Sequence, residues 1–513
     1  MVRRSNGPII QGEVPFEFLN KIQKVAYTLN PFVVGVAKTL YERGHTVSKF
    51  IPVWNEEPPP KPPNIQEDEE VRKNYRRLKA EWHNRQNDNA QRCIRTRKTM
   101  EAVDRFSKYE KFYLPWSFDY RGRAYPIPAF LTPHDTNFGK SLLKFHEESF
   151  ITPESEEWLA FQVATTYGKD KDPIRDRIDW VKDNHDLITL VATDPITNLG
   201  LWEDTDEPWL FLAACEEYYH CLIECDRHYT GLPIAVDATC SGVQILAGLA
   251  RDASAARLVN VLPGPKPEDA YLAVANEAMD QIPERLRPYT DRKTTKRTVM
   301  TLPYNSKPHS NRAYIKEAYV EAGIEPTKDE LTQVVKAVRS AMKKVLPGPM
   351  DVMEWIEREV GLLIKSGRTE LVWTTPSGFE VHQKFMKQQV ERIKLQLMGE
   401  VRMNVATGDT DVVDLAHHKN ATSPNLIHSL DASLLHLSAI RFDAPISLIH
   451  DSVLCRATDM DTLSRIVRET YMEIFSDNDY LKEWAKQIGA TTEPPMINTL
   501  QPELVIESTY FFC

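Results

Sequence analysis

The 513 residues carry 63 Lys+Arg against 73 Asp+Glu, a formal net charge of −10, with 42% hydrophobic and 27% charged residues. That length buries a large core and predicts two or three domains of an ordinary soluble globular protein. A net negative charge argues against indiscriminate coating of nucleic acid, whose non-specific affinity comes from neutralised phosphates, but permits a basic channel inside an acidic exterior. No stretch approaches the ~20 apolar residues of a membrane span. The start, Met1-Val2-Arg3-Arg4-Ser5-Asn6-Gly7, leads into no long apolar run, so no membrane and no leader peptide are expected. Seven scattered cysteines, Cys93, Cys215, Cys221, Cys225, Cys240, Cys455 and Cys513, predict reduced thiols in a cytoplasm. Cys215, His220, Cys221, Cys225 and His228 crowd together, but without paired CxxC knuckles they suit helix faces better than zinc.

Residues 15–50 show helical periodicity, with Phe16, Phe18, Leu19, Ile22, Val25 and Ala26, then Val33, Val34, Val36, Ala37 and Leu40 as the apolar set. Glu56-Glu57-Pro58-Pro59-Pro60-Lys61-Pro62-Pro63 predicts a stiff polyproline-type linker. Over 67–111 the pattern is one long helix with a sparse apolar seam of Tyr75, Leu78, Trp82, Ile94, Met100, Val103 and Phe106. Its other faces carry Arg72, Lys73, Arg76, Arg77, Lys79, Arg92, Arg95, Arg97 and Lys98, which suits either a solvated face or a nucleic-acid backbone. Residues 150–230 read as mostly helical, with Trp158, Leu159, Phe161, Val163, Trp209, Leu210 and Leu212 as core candidates.

Pro263-Gly264-Pro265-Lys266-Pro267 then turns into further helices over 266–347. Leu346-Pro347-Gly348-Pro349 interrupts them, and the helical pattern resumes over 350–366. Over 369–401 the period falls to two, and Leu371, Trp373, Val381 and Gln383 around Pro376-Ser377-Gly378 predict a hairpin. Between 390 and 405, Arg392, Lys394, Gln396, Arg402 and Asn404 recur at period two, which gathers them on one face.

Three short segments carry the candidate chemistry. In Ile234-Ala235-Val236-Asp237 and Ser447-Leu448-Ile449-His450-Asp451, an apolar run of strand character ends at an Asp, either a turn or cap residue or a ligand at the rim of a sheet. Brought together, two such carboxylates supply what two Mg²⁺ ions ~3.5–4 Å apart need for in-line phosphoryl transfer. Between them in the chain, Arg292, Lys296 and Val299 fall on one helical face with Tyr304 at the far end. Cations one turn apart suit a triphosphate, and the ring suits a base or sugar; a solvated basic face is the alternative.

In this order the three segments resemble motifs A, B and C of the single-subunit RNA polymerases of bacteriophages and mitochondria. Asp119-Tyr120-Arg121-Gly122-Arg123 resembles that family's DxxGR element, Pro424-Asn425-Leu426-Ile427-His428-Ser429-Leu430-Asp431 its stretch before motif C, and Tyr510-Phe511-Phe512 its aromatic C-terminal foot. The resemblance runs from about residue 20 to the end. It implies an α+β, mainly helical right-hand fold of palm, fingers and thumb with a small antiparallel palm sheet. The implied domains are a helical remnant and Pro-rich linker (1–66), a thumb (67–111), palm (112–258, with a helical insertion at about 150–230), fingers (259–427, with a specificity-loop-like hairpin at about 370–410) and palm again with the foot (428–513).

The activity implied is DNA-templated RNA synthesis from ribonucleoside triphosphates. Asp237 and Asp451, with the backbone carbonyl of Ala238, would hold two Mg²⁺ ions, and Arg292, Lys296 and the less closely matched Lys171 would brace the triphosphate. Tyr304 and His428 match the pair that positions the ribose; His450 would buttress the turn. Gly242 stands where related DNA polymerases carry a Glu against the 2′ position, which implies RNA rather than DNA synthesis. Arg121, Arg123, Arg297, Arg392, Lys394 and Arg402 are the expected nucleic-acid contacts. Partners would be a DNA template, the RNA product and the nucleotides, for a monomer in the cytoplasm of a bacterial host if phage-encoded.

Asn305 replaces a usual Gly after the motif B tyrosine and tolerates left-handed backbone; Ile245 replaces a common His; Cys513 ends the foot. The family's promoter-melting N-terminal domain has no evident counterpart, which implies reduced or altered initiation or an accessory factor. A primase-like or DNA-synthesising relative and a non-catalytic nucleic-acid-binding remnant are the alternatives.

Overall fold

The computed structural model describes residues 12–54, 56–396, 400–476 and 479–512; the first residues of the chain and Cys513 lie outside them. Helices dominate, and the described strands form small antiparallel sheets of two or three strands, an α+β architecture in which long helices enclose short ladders. No helix among the described residues is long and apolar enough to cross a membrane.

The ladder that matters most has three strands, in the order Ser447–Ile449, Ser452–Cys455, Ile234–Val236. Val453 pairs with Val236 and Leu454 with Ala235, so the outgoing end of Ile234–Val236 lies beside the turn that joins the other two strands. Ile234, Val236, Leu448 and Val453 are buried, which fixes the register, because a slip by one residue would turn all four outward. The helix Leu415–Arg441, 27 residues long and buried along most of its length, packs against the helices Glu13–Gln23, Ser241–Ala250, Pro347–Lys365 and Met460–Ser476. The chain end closes over the first strand. Ala238 bridges Phe512, Thr239 Oγ1 donates to Tyr510 O at 2.8 Å, and Gln244 Nε2 donates to Phe511 O at 3.0 Å.

Three expectations need correction. Residues 15–50 are not continuous helix: Ala26–Leu29 is a strand paired with Phe112–Tyr113 and Leu143–Phe145. Buried Asn30 then starts the helix Pro31–Glu42 by accepting from Phe32 N and Val33 N, so a helix cap, not an unbroken apolar period, sets the boundary.

The long helix is Glu69–Phe106, 38 residues, but its apolar seam is not the expected one. Leu78 and Ile94 are exposed, and polar Asn89, Thr96 and Thr99 are buried with Met100 and Val103. The reason is that Ile51, Trp54 and Glu56, ahead of the prolines, lie along this helix as a strap. Trp82 Nε1 and Gln86 Nε2 donate to Glu56 O at 3.2 and 3.1 Å, Trp54 Nε1 donates to Gln86 Oε1 at 3.1 Å, and Thr96 Oγ1 accepts from Ile51 N at 3.0 Å. An irregular segment leaves backbone N–H and C=O groups unpaired within itself, so the face it covers must offer polar partners rather than methyl groups.

Finally, Leu346-Pro347-Gly348-Pro349 opens the helix Pro347–Lys365 instead of preceding it. Proline in the first helical turn has no N–H to leave unsatisfied.

Candidate active site

Asp237 follows the strand Ile234–Val236 directly, and the ladder's register sets it opposite Ser452, with Asp451 one residue further along the turn. Ser452 Oγ donates to Asp237 Oδ1 at 2.7 Å. The Asp237 side chain is exposed on the wall of a cavity set back into the molecule. Desolvation by the surrounding protein, and after it repulsion from Asp451, push its carboxyl up to about 6. Asp451 follows His450, which takes a left-handed backbone (φ 58°) and packs its ring against Tyr125 and His134, with centroids 5.3 and 4.7 Å away. Among the described residues no group of three or more His, Cys, Asp or Glu side chains converges.

The cavity encloses about 730 Å³, within the ~300–1,000 Å³ of small-molecule sites. Asp237, Ala238, Lys140, Lys171, Asp269 and Arg292 are on its wall. Arg292 opens the helix Arg292–Met300, which Asp291 and Thr294 cap reciprocally. Its guanidinium is aimed by two contacts: Asp269 holds Nε, and the Tyr271 ring lies 5.0 Å beneath it. Lys296, one turn on, is depressed from its ordinary range by burial and then by the positive charges of Arg292 and Lys171. Arg292, Lys296 and Lys171 thus share one neighbourhood, although Lys171 itself pairs with Asp170. Two of the helix's expected positions go elsewhere. Val299 is buried in the core, and Arg297 pairs with Glu317 over the Tyr314 ring at the surface.

Beyond the helix, the Tyr304 ring is about half exposed and lies 5.1 Å from the buried His428 ring. Arg121 Nη1 donates to His428 Nδ1 at 2.5 Å, and because a guanidinium can only donate, the His428 proton sits on Nε2. Burial, then the charges of Arg123 and Arg121, depress His428 to about 2, so it is a neutral imidazole with one N–H to give. Arg121 is itself held by Asp119. Arg123 is buried and grips Asp431 through two bonds, from Nε and Nη2. Gly122, between them, has φ 98°, so the turn itself requires glycine. At Gly242 a Cβ would lie 2.4 Å from Pro303 Cγ, so close packing against the turn before Tyr304 demands glycine there too, quite apart from any sugar.

The period-two segment is the hairpin Met386–Gln396 with Glu400–Val413. Arg392 lies opposite Asn404 and Lys394 opposite Arg402, which sets all four on one face.

Residues 150–508 match the family model described as DNA-dependent RNA polymerase, well over half the chain. This chain belongs to the DNA-dependent RNA polymerase family. It is 27% identical to the DNA-directed RNA polymerase of Enterobacteria phage K11 over 92% of its own length and 59% of that relative's. Against the T7 RNA polymerase of Escherichia phage T7 the figures are 27%, 92% and 60%. Against the chloroplastic DNA-directed RNA polymerase 3 of Nicotiana sylvestris they are 28%, 98% and 54%. The chain therefore spans little more than half the length of the polymerases it matches.

Within this polymerase family member, the residues that sequence reasoning passed over are Ser452, Asp431, Asp269 and Tyr271. Asp431 lay inside a segment singled out above and Ser452 directly follows one, and only their partners were unreadable. Asp269 doubles as a helix cap: its Oδ1 accepts from Tyr271 N and Leu272 N while Oδ2 faces Arg292.

Proposed function

We propose that this chain carries out DNA-templated RNA synthesis by two-metal nucleotidyl transfer from ribonucleoside triphosphates to an RNA 3′ end. The observation that carries the reading is the meeting of Asp237 and Asp451 across one sheet, beside a cavity whose wall holds Arg292 and Lys171. The residues fit Mg²⁺. Their oxygens are hard donors, and the desolvation and then the Asp451 repulsion that raise Asp237 are what bound divalent cations would offset. Asp237, Asp451 and the Ala238 carbonyl would hold two ions. When bound, such ions lower the pKa of an attacking hydroxyl and neutralise leaving phosphates.

The chain's own groups do the rest. Arg292, aimed by Asp269 and Tyr271, offers its Nη fork to a phosphate, Lys296 and Lys171 add charge alongside, and Ser452 fixes the rotamer of Asp237. His428, neutral and locked in one tautomer by Arg121, presents Nε2–H beside the Tyr304 ring, where a ribose hydroxyl can accept it. Gly242 holds the Tyr304 turn close to the start of the helix Ser241–Ala250.

In this reading 67–111 is the thumb, 112–258 and 428–513 the palm, and 259–427 the fingers, with Arg392, Lys394 and Arg402 on a face suited to a duplex groove. Template DNA, product RNA and nucleotides are the partners of a monomer in a host cytoplasm, and initiation draws on a primer, an open strand or an accessory factor.

The test is extension of a primed RNA–DNA scaffold with Mg²⁺, feeding ribonucleotides and deoxyribonucleotides in parallel, beside promoter-bearing and promoterless duplexes. Ribonucleotide incorporation on the scaffold is expected. Preference for deoxyribonucleotides turns the reading toward a DNA-synthesising relative. No incorporation, with nucleic acid still bound, turns it toward a binding remnant.

A further inference from the structure

Tyr304 is followed by Asn305, which has a left-handed backbone at φ 55°. A non-glycine residue in that region is strained unless its surroundings hold it. Here the holding is visible. Lys307 Nζ donates to Asn305 Oδ1 at 3.1 Å and to Glu357 Oε2 at 2.8 Å, while Lys419 reaches Glu357 Oε1 at 3.3 Å. Asn305 Nδ2 faces the Lys419 carbonyl at 3.4 Å and Glu357 Oε2 at 3.5 Å. Glu357 stands on the helix Pro347–Lys365 and Lys419 on the helix Leu415–Arg441, the same helix that carries His428. Burial works against the Glu357 charge, but the bonds and charges of Lys307 and Lys419 outweigh it and hold the carboxyl below its ordinary range. One carboxylate therefore ties together the turn after Tyr304, the helix behind it and the helix of His428.

We propose that Glu357 is a positioning residue that fixes the Tyr304 ring against His428, and with it the choice between ribose and deoxyribose, by locking the Asn305 turn through Lys307 and Lys419. The inference rests on the function proposed above. The arrangement is particular in its chemistry. A glycine at 305 would need no brace for its backbone, whereas an asparagine gains one through its own amide. Nothing in the core depends on Glu357, since it is about a third exposed and its partners are all polar.

The experiment compares the full chain with Glu357→Gln, Asn305→Gly and the double variant. Hydrogen–deuterium exchange of the peptide covering 301–307 reads the turn directly, with no turnover. The ratio of kcat/KM for a ribonucleotide over its 2′-deoxy counterpart, on the primed scaffold, reads the sugar choice. In Glu357→Gln, exchange should speed up and the ratio should fall by about 3–10-fold, the scale of a coupling between neighbouring residues. In the Asn305→Gly background the same Glu357→Gln change should do less, because the Asn305 amide no longer takes part and a glycine turn needs no brace. Unchanged exchange in Glu357→Gln overturns the proposal. So does faster exchange with an unchanged ratio, or an effect undiminished by Asn305→Gly, which would mean that Glu357 acts elsewhere. A parent that incorporates neither sugar discards the polymerase reading and the sugar choice with it, and the exchange data then decide the tether alone.

Discussion

Two aspartates that both feel Asp451, Asp237 exposed on the cavity wall and Asp431 buried, resolve the same problem in opposite ways. Desolvation pushes both Asp237 and Asp431 up to about 6, and the charge of Asp451 pushes each further. Asp431 is answered from within, by the two-bond grip of Arg123, whose guanidinium also feels Asp451. Asp237 receives neutral donors, the hydroxyl of Ser452 and the backbone N–H of Ala238, with the charge of Lys140 the weakest of its stabilising contacts. A buried ion pair with its hydrogen bonds made is complete and has no affinity to spare, whereas a like-charged pair held together by the fold is an electrostatic deficit. The comparison teaches which of the two carboxylates is scaffold and which is site.

The largest effect follows from the deficit. Asp451→Asn should lower ribonucleotide incorporation on the primed scaffold by roughly 10³-fold or more, since electrostatic stabilisation dominates phosphoryl transfer. It should leave the metal-free melting temperature unchanged or raised, because a repulsion has been removed. A loss of activity accompanied by a matching loss of stability would break the distinction.

The scaffold carboxylate should behave the other way. Arg123→Met strands Asp431 as a buried, uncompensated carboxylate, at a cost of about 3–5 kcal/mol. Denaturant melts should show the loss, and Arg123→Met with Asp431→Leu together should recover much of it, as apolar replacements of buried pairs do. If the single and double variants are equally unstable, the pair is not the brace described here.

The fold class, the two carboxylate turns and the long helix were legible because each rests on a local signal: strand-like runs ending at Asp, and a 3.6-residue period. Asn305 was legible for the same reason, as a residue that tolerates left-handed backbone. Partners were not. Nothing local distinguishes Arg123, spent on Asp431 more than 300 positions away, from Arg121, which reaches both Asp119 and His428. Likewise the spacing of 292, 296 and 299 gives a face but not what covers it, so Val299 went to the core. The strap along Glu69–Phe106 was hidden because its bonds join polar side chains of the helix to groups of the preceding loop, and no apolar period records that.

On the cationic side the effects should be smaller. Lys296→Ala removes one of three clustered charges, and should raise KM for the nucleotide about tenfold in steady-state extension, with Arg292→Ala at least as severe because Asp269 and Tyr271 have already ordered its fork. Arg297→Ala is the control: with its charge on Glu317 at the surface, it should change extension less than about twofold, as exposed ion pairs are worth little.

The smallest effect is also the one that isolates Asp237 itself. Its folded-state carboxyl lies at about 6, above the ordinary 3.8, so the folded chain holds that proton more tightly than the unfolded chain does. The sign follows: the group's stabilising contribution is complete below pH ~4 and is lost as pH rises through about 6. Asp431 shifts the same way, and would confuse a simple scan of melting temperature against pH. The difference between Asp237→Asn and the parent removes that background. In metal-free buffer the variant's advantage should grow from near zero at pH 4 to about 1–2 °C at pH 7, the shift that a modest free-energy change makes in a chain of this size. Adding Mg²⁺ should reverse the trend, because the cation favours the ionised parent and offers the amide little. A difference that stays flat from pH 4 to 7 without metal would mean that Asp237 and Asp451 do not repel, and the contrast with the Arg123–Asp431 pair would lose its physical basis.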